Sequence, residues 1–393
     1  MEDVVIVSAV RTPIASFGGA LKEISSPKLG AAAIKEAVSR AGLSKLDEVD
    51  ECLMGCVLAA GVGQAPARQA LIFSGLPQSI RATTINRVCG SGLKAVMFAT
   101  QMIQTGDARV VIAGGMENMS RTPYLLDKGR EGYRLGNGKL IDSMIHDGLW
   151  DVYNQTHMGI SAELCAAEYK ISRADQDHFA KTSYERAQTS ITQGKFKSEI
   201  VGVEVRVGKE KQVFDQDEEP LRAKLDKLGE LKPVFDAKGT VTAANASSLS
   251  DGASALVLVS RRYATENGLK PIAKIISQAS HAQAPEWFTT APVGAVKKLL
   301  SKTQYSVDSV DLFEINEAFA VVALACQRDL KIPDQKLNIR GGAVALGHPI
   351  GASGARILTT LIHTMIQEQK KRGIAAICIG GGEASALMIE LEV

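Results

Sequence analysis

The feature that most constrains this chain is an internal repeat, because its first and last thirds run through the same order of strands, helices and glycine-rich turns. In each third, an apolar strand leads into a helix, a second strand follows, and a turn then opens a long amphipathic helix. Each repeat closes on an apolar strand ending in glycines, Val110–Gly115 (VVIAGG) and Ala375–Gly382 (AAICIGGG). Strands that alternate with helices predict a parallel sheet covered on both faces, so the sequence indicates a duplicated α/β unit.

The individual elements are predicted from hydrophobic periodicity and from the glycines at their ends. In the first third we expect strands at Val4–Ala9, Glu51–Leu58 and Val110–Gly115, and helices at Leu29–Ala41, Gln64–Gly75 and Ser91–Gly106. In the last third we expect strands at Pro271–Ser280, Val310–Asn316 and Ala375–Gly382, and helices at Ala291–Lys302, at Ala318–Leu330 and from the Gly341–Gly354 turn to Gln367.

The polar stretch between the repeats predicts an insertion. The expected division is 1–119, the insertion 120–249, a return to the first half at 250–270, and a second half at 271–393.

Composition narrows the classes of function. Among 393 residues, 45 lysines and arginines are balanced by 43 aspartates and glutamates, and the net charge of +2 gives no basic field for nucleic acid. Six cysteines are too few for a disulfide scaffold and fit a reducing compartment. Met1–Ala9 has too short an apolar run for a signal peptide, and no stretch is long and apolar enough to cross a bilayer. We therefore expect a cytoplasmic protein without membrane or nucleic-acid partners, and a mature organellar matrix protein would have the same features.

Candidate chemistry is concentrated in the turns, which hold many of the 36 glycines. Cys89 in Asn86–Gly92 (NRVCGSG) precedes a predicted helix, where exposed N–H groups and the helix dipole favour a thiolate. His348 in Ala345–Gly354 (ALGHPIGASG) occupies the matching turn of the second repeat. Ligands of open α/β sheets bind at strand carboxyl ends, where this thiol and imidazole would meet as nucleophile and base. The alternatives are a buried structural cysteine and a solvated turn histidine.

Two further positions lie at predicted strand ends. Cys378 precedes the Gly380–Gly382 run, whose backbone N–H groups can stabilise an oxyanion, although a small buried core residue is the simpler interpretation of Cys378 alone. Asn316 ends a strand and opens a helix, and as an isolated residue it is best explained as an N-cap. Gly61–Pro66 (GVGQAP) fails the dinucleotide-binding pattern at its last position, so a nicotinamide enzyme is not favoured.

Together these segments resemble the thiolase family, and within it the acetyl-CoA acetyltransferases. The matching stretches lie in family order over nearly the whole chain: Asn86–Lys94 (NRVCGSGLK), Ala113–Ser120 (AGGMENMS), Thr240–Ser247 (TVTAANAS), Asn316–Phe319 (NEAF), Gly341–Gly354 (GGAVALGHPIGASG) and Cys378–Gly382 (CIGGG). The resemblance implies an α/β thiolase fold, with duplicated βαβαβαββ halves stacked as a five-layer α/β/α/β/α sandwich. It also implies that the inserted loop domain serves CoA binding and oligomer contacts, and that the protein is a homotetramer built as a dimer of dimers.

The activity implied by the resemblance is the reversible condensation of two acetyl-CoA molecules to acetoacetyl-CoA and CoA, or thiolysis of short 3-oxoacyl-CoA, in lipid metabolism. In the family's ping-pong scheme Cys89 becomes acetylated, His348 is its base, and Cys378 is the acid and base at the α-carbon of the second acetyl-CoA. Asn316 would hold a water that forms one oxyanion hole with His348, and the N–H groups of Cys89 and Gly380 would form the other. No cofactor is required beyond CoA as substrate and product.

The resemblance also implies coenzyme A contacts. The matching positions are Leu149, His157, Met158, Phe235, Ala243, Ser247, Phe288, Ala318 and Phe319. The family's arginine for the nucleotide phosphate is displaced in this sequence, because residues Glu219–Lys224 are EPLRAK. Either Arg222 or Lys224 binds the phosphate, or both are ordinary solvated side chains. The bulky Trp287–Phe288 pair predicts a short acyl pocket.

Two departures from the usual biosynthetic pattern resemble the potassium-activated branch of the family, which also accepts 2-methylacetoacetyl-CoA. Glu383-Ala384-Ser385 follows the last glycines, and residues 285–292 are PEWFTTAP. The resemblance implies an activating potassium ion held by Tyr184 and by the backbone carbonyls of Ala243, Ala244, Ala246 and Val344. The competing functions are a broader 3-ketoacyl-CoA thiolase of fatty-acid β-oxidation and a decarboxylating condensing enzyme, which shares the fold but normally lacks the Cys378 element.

Overall fold

The computed structural model describes residues 2–392, in which strands and helices alternate as the repeat predicts. The strands are β1 (Val4–Arg11), β2 (Ala15–Ser16), β3 (Glu51–Gly55), β4 (Arg81–Ile85), β5 (Val110–Asn118), β6 (Tyr124–Leu125), β7 (Ile141–Asp142), β8 (Trp150–Asp151), β9 (Thr156–His157), β10 (Val203–Val207), β11 (Glu210–Phe214), β12 (Ser250–Ser260), β13 (Ala273–Ala282), β14 (Leu312–Ile315), β15 (Arg372–Ile379) and β16 (Glu383–Leu391). The helices are α1 (Ser26–Ala41), α2 (Pro66–Phe73), α3 (Ser91–Thr105), α4 (Met158–Glu168), α5 (Arg173–Thr192), α6 (Glu219–Arg222), α7 (Arg261–Glu266), α8 (Ala291–Thr303), α9 (Ala320–Leu330), α10 (Ala343–Leu346) and α11 (Ile350–Gln367).

The repeat is visible in the pairing order of the main sheet. The first half contributes the order β4-β3-β5-β12-β1, and the second half contributes β13-β16-β15-β14. β3 runs parallel to β5 as β14 runs parallel to β15, while β12 and β16 pair antiparallel to those neighbours. The counterpart of β4 is a single parallel bridge between Phe313 and Leu337. This matched order confirms the duplicated unit predicted from the sequence.

Helices arrange the two halves in layers. α3 and α11 pack against each other in the middle, where Leu93, Leu358 and Leu361 belong to one apolar cluster with strand residues of both halves. α1 and α2 cover the outer face of the first half, and α8 and α9 cover the outer face of the second. β5 and β12 are buried along their whole length and carry continuous apolar runs, Val110–Met116 and Ala255–Val259, as is typical of strands enclosed on both faces. The result is the expected five-layer α/β/α/β/α sandwich.

The central helices α3 and α11 approach each other closely near their N-terminal ends. A Cβ atom placed on Gly92 would lie 2.8 Å from the Ala355 backbone nitrogen, and one placed on Gly354 would lie 2.4 Å from the Leu93 backbone nitrogen. Any side chain at these positions would force the helices apart, since real Cβ contacts are longer. α3 begins just after Cys89 and α11 just after His348, so this close packing brings the two candidate catalytic turns together.

Some predicted boundaries were wrong. The strand expected over Glu51–Leu58 ends at Gly55, because the N–H groups of Val57 and Leu58 turn to donate to the Glu117 carboxylate at 3.0 and 3.2 Å. Neither β4 nor β16 was predicted. β4 (RATTI) is a half-exposed edge strand with few apolar residues. β16 (EASALMIEL) is rich in good helix formers, and its hairpin pairing with β15 overrides that helix propensity.

Across residues 2–392, no helix has the length and apolar character needed to cross a membrane.

Candidate active site

Cys89 is presented by a tight turn between β4 and α3. The Arg87 N–H donates to Ser91 Oγ at 2.8 Å, the Ser91 hydroxyl donates to the Val88 carbonyl at 2.6 Å, and the Gly90 N–H donates to the Arg87 carbonyl at 3.0 Å. Val88 adopts a left-handed φ of 43°, which is strained for a β-branched residue. Such an outlier persists only where surrounding contacts impose it, so the turn holds Cys89 in a defined place at the start of α3.

The Cys89 sulfur rests as a thiol. Burial raises the pKa of the Cys89 thiol to about 11, although the backbone N–H groups of Gly380 and of Cys89 itself act to lower that pKa. We expected the start of the helix to favour a thiolate, and the N–H groups do act in that direction. Desolvation outweighs them, because a thiolate in an apolar cavity loses its hydration. A base is therefore needed to generate the nucleophile.

His348 lies in the matching turn of the second half and is 6% exposed. Its N–H donates to the Ser248 carbonyl at 3.1 Å, and Gly347, just before it, has a φ of 102° that only glycine adopts easily. Burial, together with the nearby Arg356 guanidinium, lowers the pKa of the imidazole to about 3. Its Nε2 atom has no hydrogen-bond partner among the described residues. The ring is thus neutral, with a nitrogen free to exchange a proton.

Cys378 and Gly380 are positioned at the carboxyl end of β15. Cys378 is 1% exposed, and its thiol pKa is raised well above the usual value by burial and then by the neighbouring Cys89 sulfur. The two sulfurs are therefore close enough to influence each other. The Gly380 N–H faces the Cys89 sulfur, and Gly380 lines the same cavity as Cys89 and His348. Strand β15 thus delivers a second thiol and a backbone donor to the site.

Asn316 does not cap a helix, so the interpretation favoured from the sequence alone was wrong. Helix α9 begins only at Ala320, with Phe319 in the capping position. Asn316 instead follows β14 directly, is 1% exposed, and is fixed by its N–H bond to the Ala376 carbonyl at 2.9 Å. Neither its side-chain oxygen nor its nitrogen has a partner within residues 2–392. A buried amide is costly to leave unpaired, so this side chain is suited to hold a water or a ligand.

One cavity of about 500 Å³ is lined by three of the five candidate catalytic residues, Cys89, His348 and Gly380. Cys378 and Asn316 are buried and are not lining residues, although Gly380 and Ala318, two positions along the chain from each, are. The predicted coenzyme A positions in its wall are Leu149, His157, Met158, Phe235, Ala243, Ser247, Phe288, Ala318 and Phe319. The His157 and Phe235 rings stack at 4.6 Å between centroids, and the pKa of His157 is lowered by burial. The wall is largely apolar, as expected of a site that excludes water around its ligand.

The remaining predicted binding residues lie elsewhere. Arg222 is 59% exposed, pairs with Glu218 at 3.4 Å, and is not among the residues that line the cavity. Lys224 lines a smaller adjacent cavity of about 270 Å³, together with Tyr184, Ala243 and Ala244. Trp287 is not part of the main cavity wall, whereas its neighbour Phe288 is.

The residues predicted to hold a potassium ion are partly brought together. Tyr184 shares the smaller cavity with Ala243 and Ala244, and shares an apolar cluster with Val344. Ala246 lines the main cavity instead. Burial raises the pKa of the Tyr184 phenol well above its usual range, and the carboxylates of Glu219 and Glu317 raise it further. A neutral phenol beside two acidic groups is compatible with a cation. Among the described residues, no cluster of histidine, cysteine and carboxylate side chains has the arrangement of a metal site.

Glu117 is a residue of the site that sequence reasoning missed. Its buried carboxylate accepts N–H groups from Val57 at 3.0 Å, Leu58 at 3.2 Å and Gly351 at 2.9 Å. It thereby ties the end of β3 to the first turn of α11. Burial raises the pKa of Glu117 to about 7 despite these donors. The available signal in the sequence was an acidic residue, Glu117, placed directly after the small and apolar run Val110–Met116.

Comparison with known proteins shows the family to which the chain belongs. Residues 4–262 match the model of the thiolase N-terminal domain, and residues 269–391 match that of the thiolase C-terminal domain. The chain therefore belongs to the thiolase family.

Similar proteins extend over the full length. An acetyl-CoA acetyltransferase of Cupriavidus necator is 52% identical over 99% of this chain and 100% of its own. One from Schizosaccharomyces pombe is 50% identical over 99% and 98% of the two chains. The crystal structure of the Bacillus anthracis acetyl-CoA acetyltransferase superposes with a TM-score of 0.97, at 40% identity over 100% of this chain and 99% of that one. An Ascaris suum thiolase, solved in complex with coenzyme A, gives a TM-score of 0.94 at 44% identity, covering both chains completely.

The resting thiol predicts how Cys89 reacts with an alkylating agent. Because only the thiolate reacts, and the thiol pKa is about 11, the rate of iodoacetamide inactivation should rise about tenfold per pH unit between about pH 6 and about pH 9. Peptide mass spectrometry would follow labelling of Cys89, with Cys165 as a buried internal comparison. A rate that levels off near neutral pH would contradict the resting thiol.

Proposed function

We propose that this chain is an acetyl-CoA acetyltransferase that condenses two acetyl-CoA molecules to acetoacetyl-CoA and CoA, and that catalyses the reverse thiolysis. The observation that carries the proposal is one largely apolar cavity in which a cysteine thiol faces the Gly380 N–H and shares the wall with a neutral imidazole. A thiol with a base and an N–H donor is suited to acyl transfer through a thioester. The Cupriavidus necator and Schizosaccharomyces pombe relatives carry the same activity in their names.

In the first half-reaction Cys89 is the nucleophile. Its S–H proton passes to His348 Nε2 as the sulfur attacks the thioester carbonyl of acetyl-CoA. The N–H groups of Cys89 and Gly380 stabilise the negative oxygen that develops, which is supported by their orientation toward the Cys89 sulfur. The CoA sulfur leaves and takes its proton from Cys378. The products are acetyl-Cys89, free CoA, a protonated His348 and a Cys378 thiolate.

In the second half-reaction Cys378 is the base. Its thiolate removes an α-proton from a second acetyl-CoA, and the enolate oxygen is stabilised by the Nε2–H of His348 and by a water held on the unpaired Asn316 side chain. The enolate carbon attacks the acetyl carbonyl, and a carbon–carbon bond forms as the Cys89 sulfur leaves. His348 returns its proton to Cys89. All protons are then restored, and no group other than CoA and its thioesters is consumed or released.

The cavity wall favours short acyl groups. Phe288, Met119 and Met144 are buried and line the cavity together with Leu249 and Cys89. These side chains leave room for an acetyl or 2-methylacetoacetyl unit better than for a long chain. The pantetheine arm would lie along His157 and Phe235, and the nucleotide would extend toward Lys224 or Arg222 at the surface.

We also propose that a potassium ion binds between Tyr184 and the loop of Ala243 and Ala244, with carbonyl groups of Ala246 and Val344 completing its oxygen ligands. The acidic surroundings of Tyr184 support this choice. The ion's contribution would be to fix the loop that forms one wall of the cavity, since Ala243 lines both cavities.

The proposed assembly is a homotetramer, a dimer of dimers, acting in the cytoplasm in lipid metabolism. Large apolar side chains of the insertion are exposed, as at Tyr124, Leu126, Leu135 and Leu140. Exposed apolar residues grouped in one segment are typical of protein contact surfaces.

Steady-state assays of variants test the function. Wild-type protein should cleave acetoacetyl-CoA with free CoA, followed as loss of the magnesium–enolate absorbance, and should not decarboxylate malonyl-CoA. Cys89→Ser should abolish both thiolysis and exchange of CoA with acetyl-CoA. Cys378→Ser should slow condensation by about 100-fold or more while retaining some exchange, because it removes only the base at the α-carbon. Cys165→Ser, a buried thiol outside the cavity wall, is the control. Full activity of Cys89→Ser would refute the mechanism.

A salt titration tests the potassium proposal separately. At constant ionic strength, replacing NaCl with KCl should raise the rate of acetoacetyl-CoA thiolysis, and Tyr184→Phe should weaken that response because it removes a ligand oxygen. Equal rates in the two salts would remove the potassium site and leave the acetyltransferase proposal intact.

A further inference from the structure

The His348 ring makes a hydrogen bond with a buried serine hydroxyl group through its Nδ1 atom. Ser353 lies in the first turns of α11, is fully buried, and places its Oγ atom 2.6 Å from His348 Nδ1. The opposite ring nitrogen, Nε2, has no hydrogen-bond partner among the described residues, and His348 lines the cavity together with Cys89. Which nitrogen carries the single proton of a neutral imidazole is set by the hydrogen bond that the other one makes.

The direction of this hydrogen bond follows from the second contact of Ser353. Its Oγ lies 2.9 Å from the Pro349 carbonyl oxygen, which can only accept. The Ser353 hydroxyl has one proton. If that proton did not lie between Ser353 Oγ and the Pro349 carbonyl oxygen, these two oxygens would repel each other. The hydroxyl proton therefore points to the Pro349 carbonyl, and Oγ presents a lone pair to His348. Nδ1 must then be the protonated nitrogen.

The opposite tautomer fits less well on both sides of the ring. A hydroxyl donating to Nδ1 would leave its contact with the Pro349 oxygen without a proton. Nε2 would then carry a buried hydrogen for which the described residues offer no acceptor. With Nδ1 protonated, the unpartnered Nε2 keeps its lone pair free for a donor, and the Cys89 S–H lines the same cavity as His348.

We propose that Ser353 is a positioning residue that holds His348 as the Nδ1–H tautomer, so that Nε2 alone cycles its proton with Cys89. This inference rests on the proposed function, in which His348 is the base. A neutral partner has a further consequence, because a hydroxyl does not stabilise an imidazolium as a carboxylate would. His348 therefore holds the Cys89 proton weakly and gives it back readily when the Cys89 sulfur leaves in the second half-reaction.

Removing the Ser353 hydroxyl should leave the start of α11 intact. The Pro349 carbonyl also accepts the N–H groups of Ala352 at 2.9 Å and of Ser353 itself at 3.0 Å, and both remain in Ser353→Ala. Ser254→Ala is a matched control. Ser254 is a buried serine whose hydroxyl lies 2.9 Å from the Val10 carbonyl and 2.9 Å from Thr359 Oγ, also on α11.

The experiment combines kinetics with the nitrogen NMR spectrum of the full-length protein labelled with ¹⁵N-histidine. His348→Asn identifies the His348 signals by their loss. The wild type should show the Nδ1–H pattern, and Ser353→Ala should show a mixed or reversed pattern. Its kcat for thiolysis should fall about 10- to 100-fold with little change in KM, while Ser254→Ala keeps the wild-type kcat and spectrum.

The inference is overturned if Ser353→Ala keeps the wild-type kcat, or if its kcat falls while the His348 tautomer pattern stays as in the wild type. An Nε2–H pattern in the wild type also overturns it. Failure of the proposed function is distinguishable, since it appears as a wild-type protein that does not cleave acetoacetyl-CoA whatever its NMR spectrum.

Discussion

The close packing of α3 against α11 is the constraint on which the site depends. Gly92 and Gly354 let the backbones of the two helices approach to distances that no side chain would permit. Each helix starts at a turn that carries one reactive side chain, so their contact sets the separation of Cys89 from His348. The sheet halves on either side then supply Asn316 from β14, and Cys378 and Gly380 from β15. The matching turns of the two repeats thus contribute two chemically different groups, the thiol of Cys89 and the imidazole of His348.

Desolvation is the second organising influence. The same burial that holds Cys89 as a thiol, with a pKa of about 11, keeps His348 neutral with a pKa of about 3. The Cys89 thiol and the His348 imidazole therefore both rest uncharged. Charge develops only when a thioester enters, and it develops beside the fixed N–H groups of Cys89 and Gly380. Donors that are already oriented need no reorganisation during the reaction, which makes them effective in a dry cavity.

Much of this could be predicted from the sequence, because the repeat, the glycine-rich turns and the resemblance all lie along the chain. The duplicated α/β fold followed from the spacing of strands and helices, and Cys89 and His348 were singled out from their matching turns. Local reasoning failed where the partner lies far away in sequence. Asn316 appeared to be an N-cap because the real start of α9 depends on how Phe319 and Ala246 pair. Glu117 went unnoticed because its donors, Val57, Leu58 and Gly351, lie 59 to 234 positions away.

The most direct test of the account is to find where acetyl is bound. Wild-type protein incubated with acetyl-CoA, quenched with acid and digested should yield one acetylated peptide, with the acetyl group on Cys89. His348→Asn should accumulate it far more slowly, because the thiol would lose its base. Acetyl on another residue, or the absence of any acetyl-enzyme during active formation of acetoacetyl-CoA, would contradict the account.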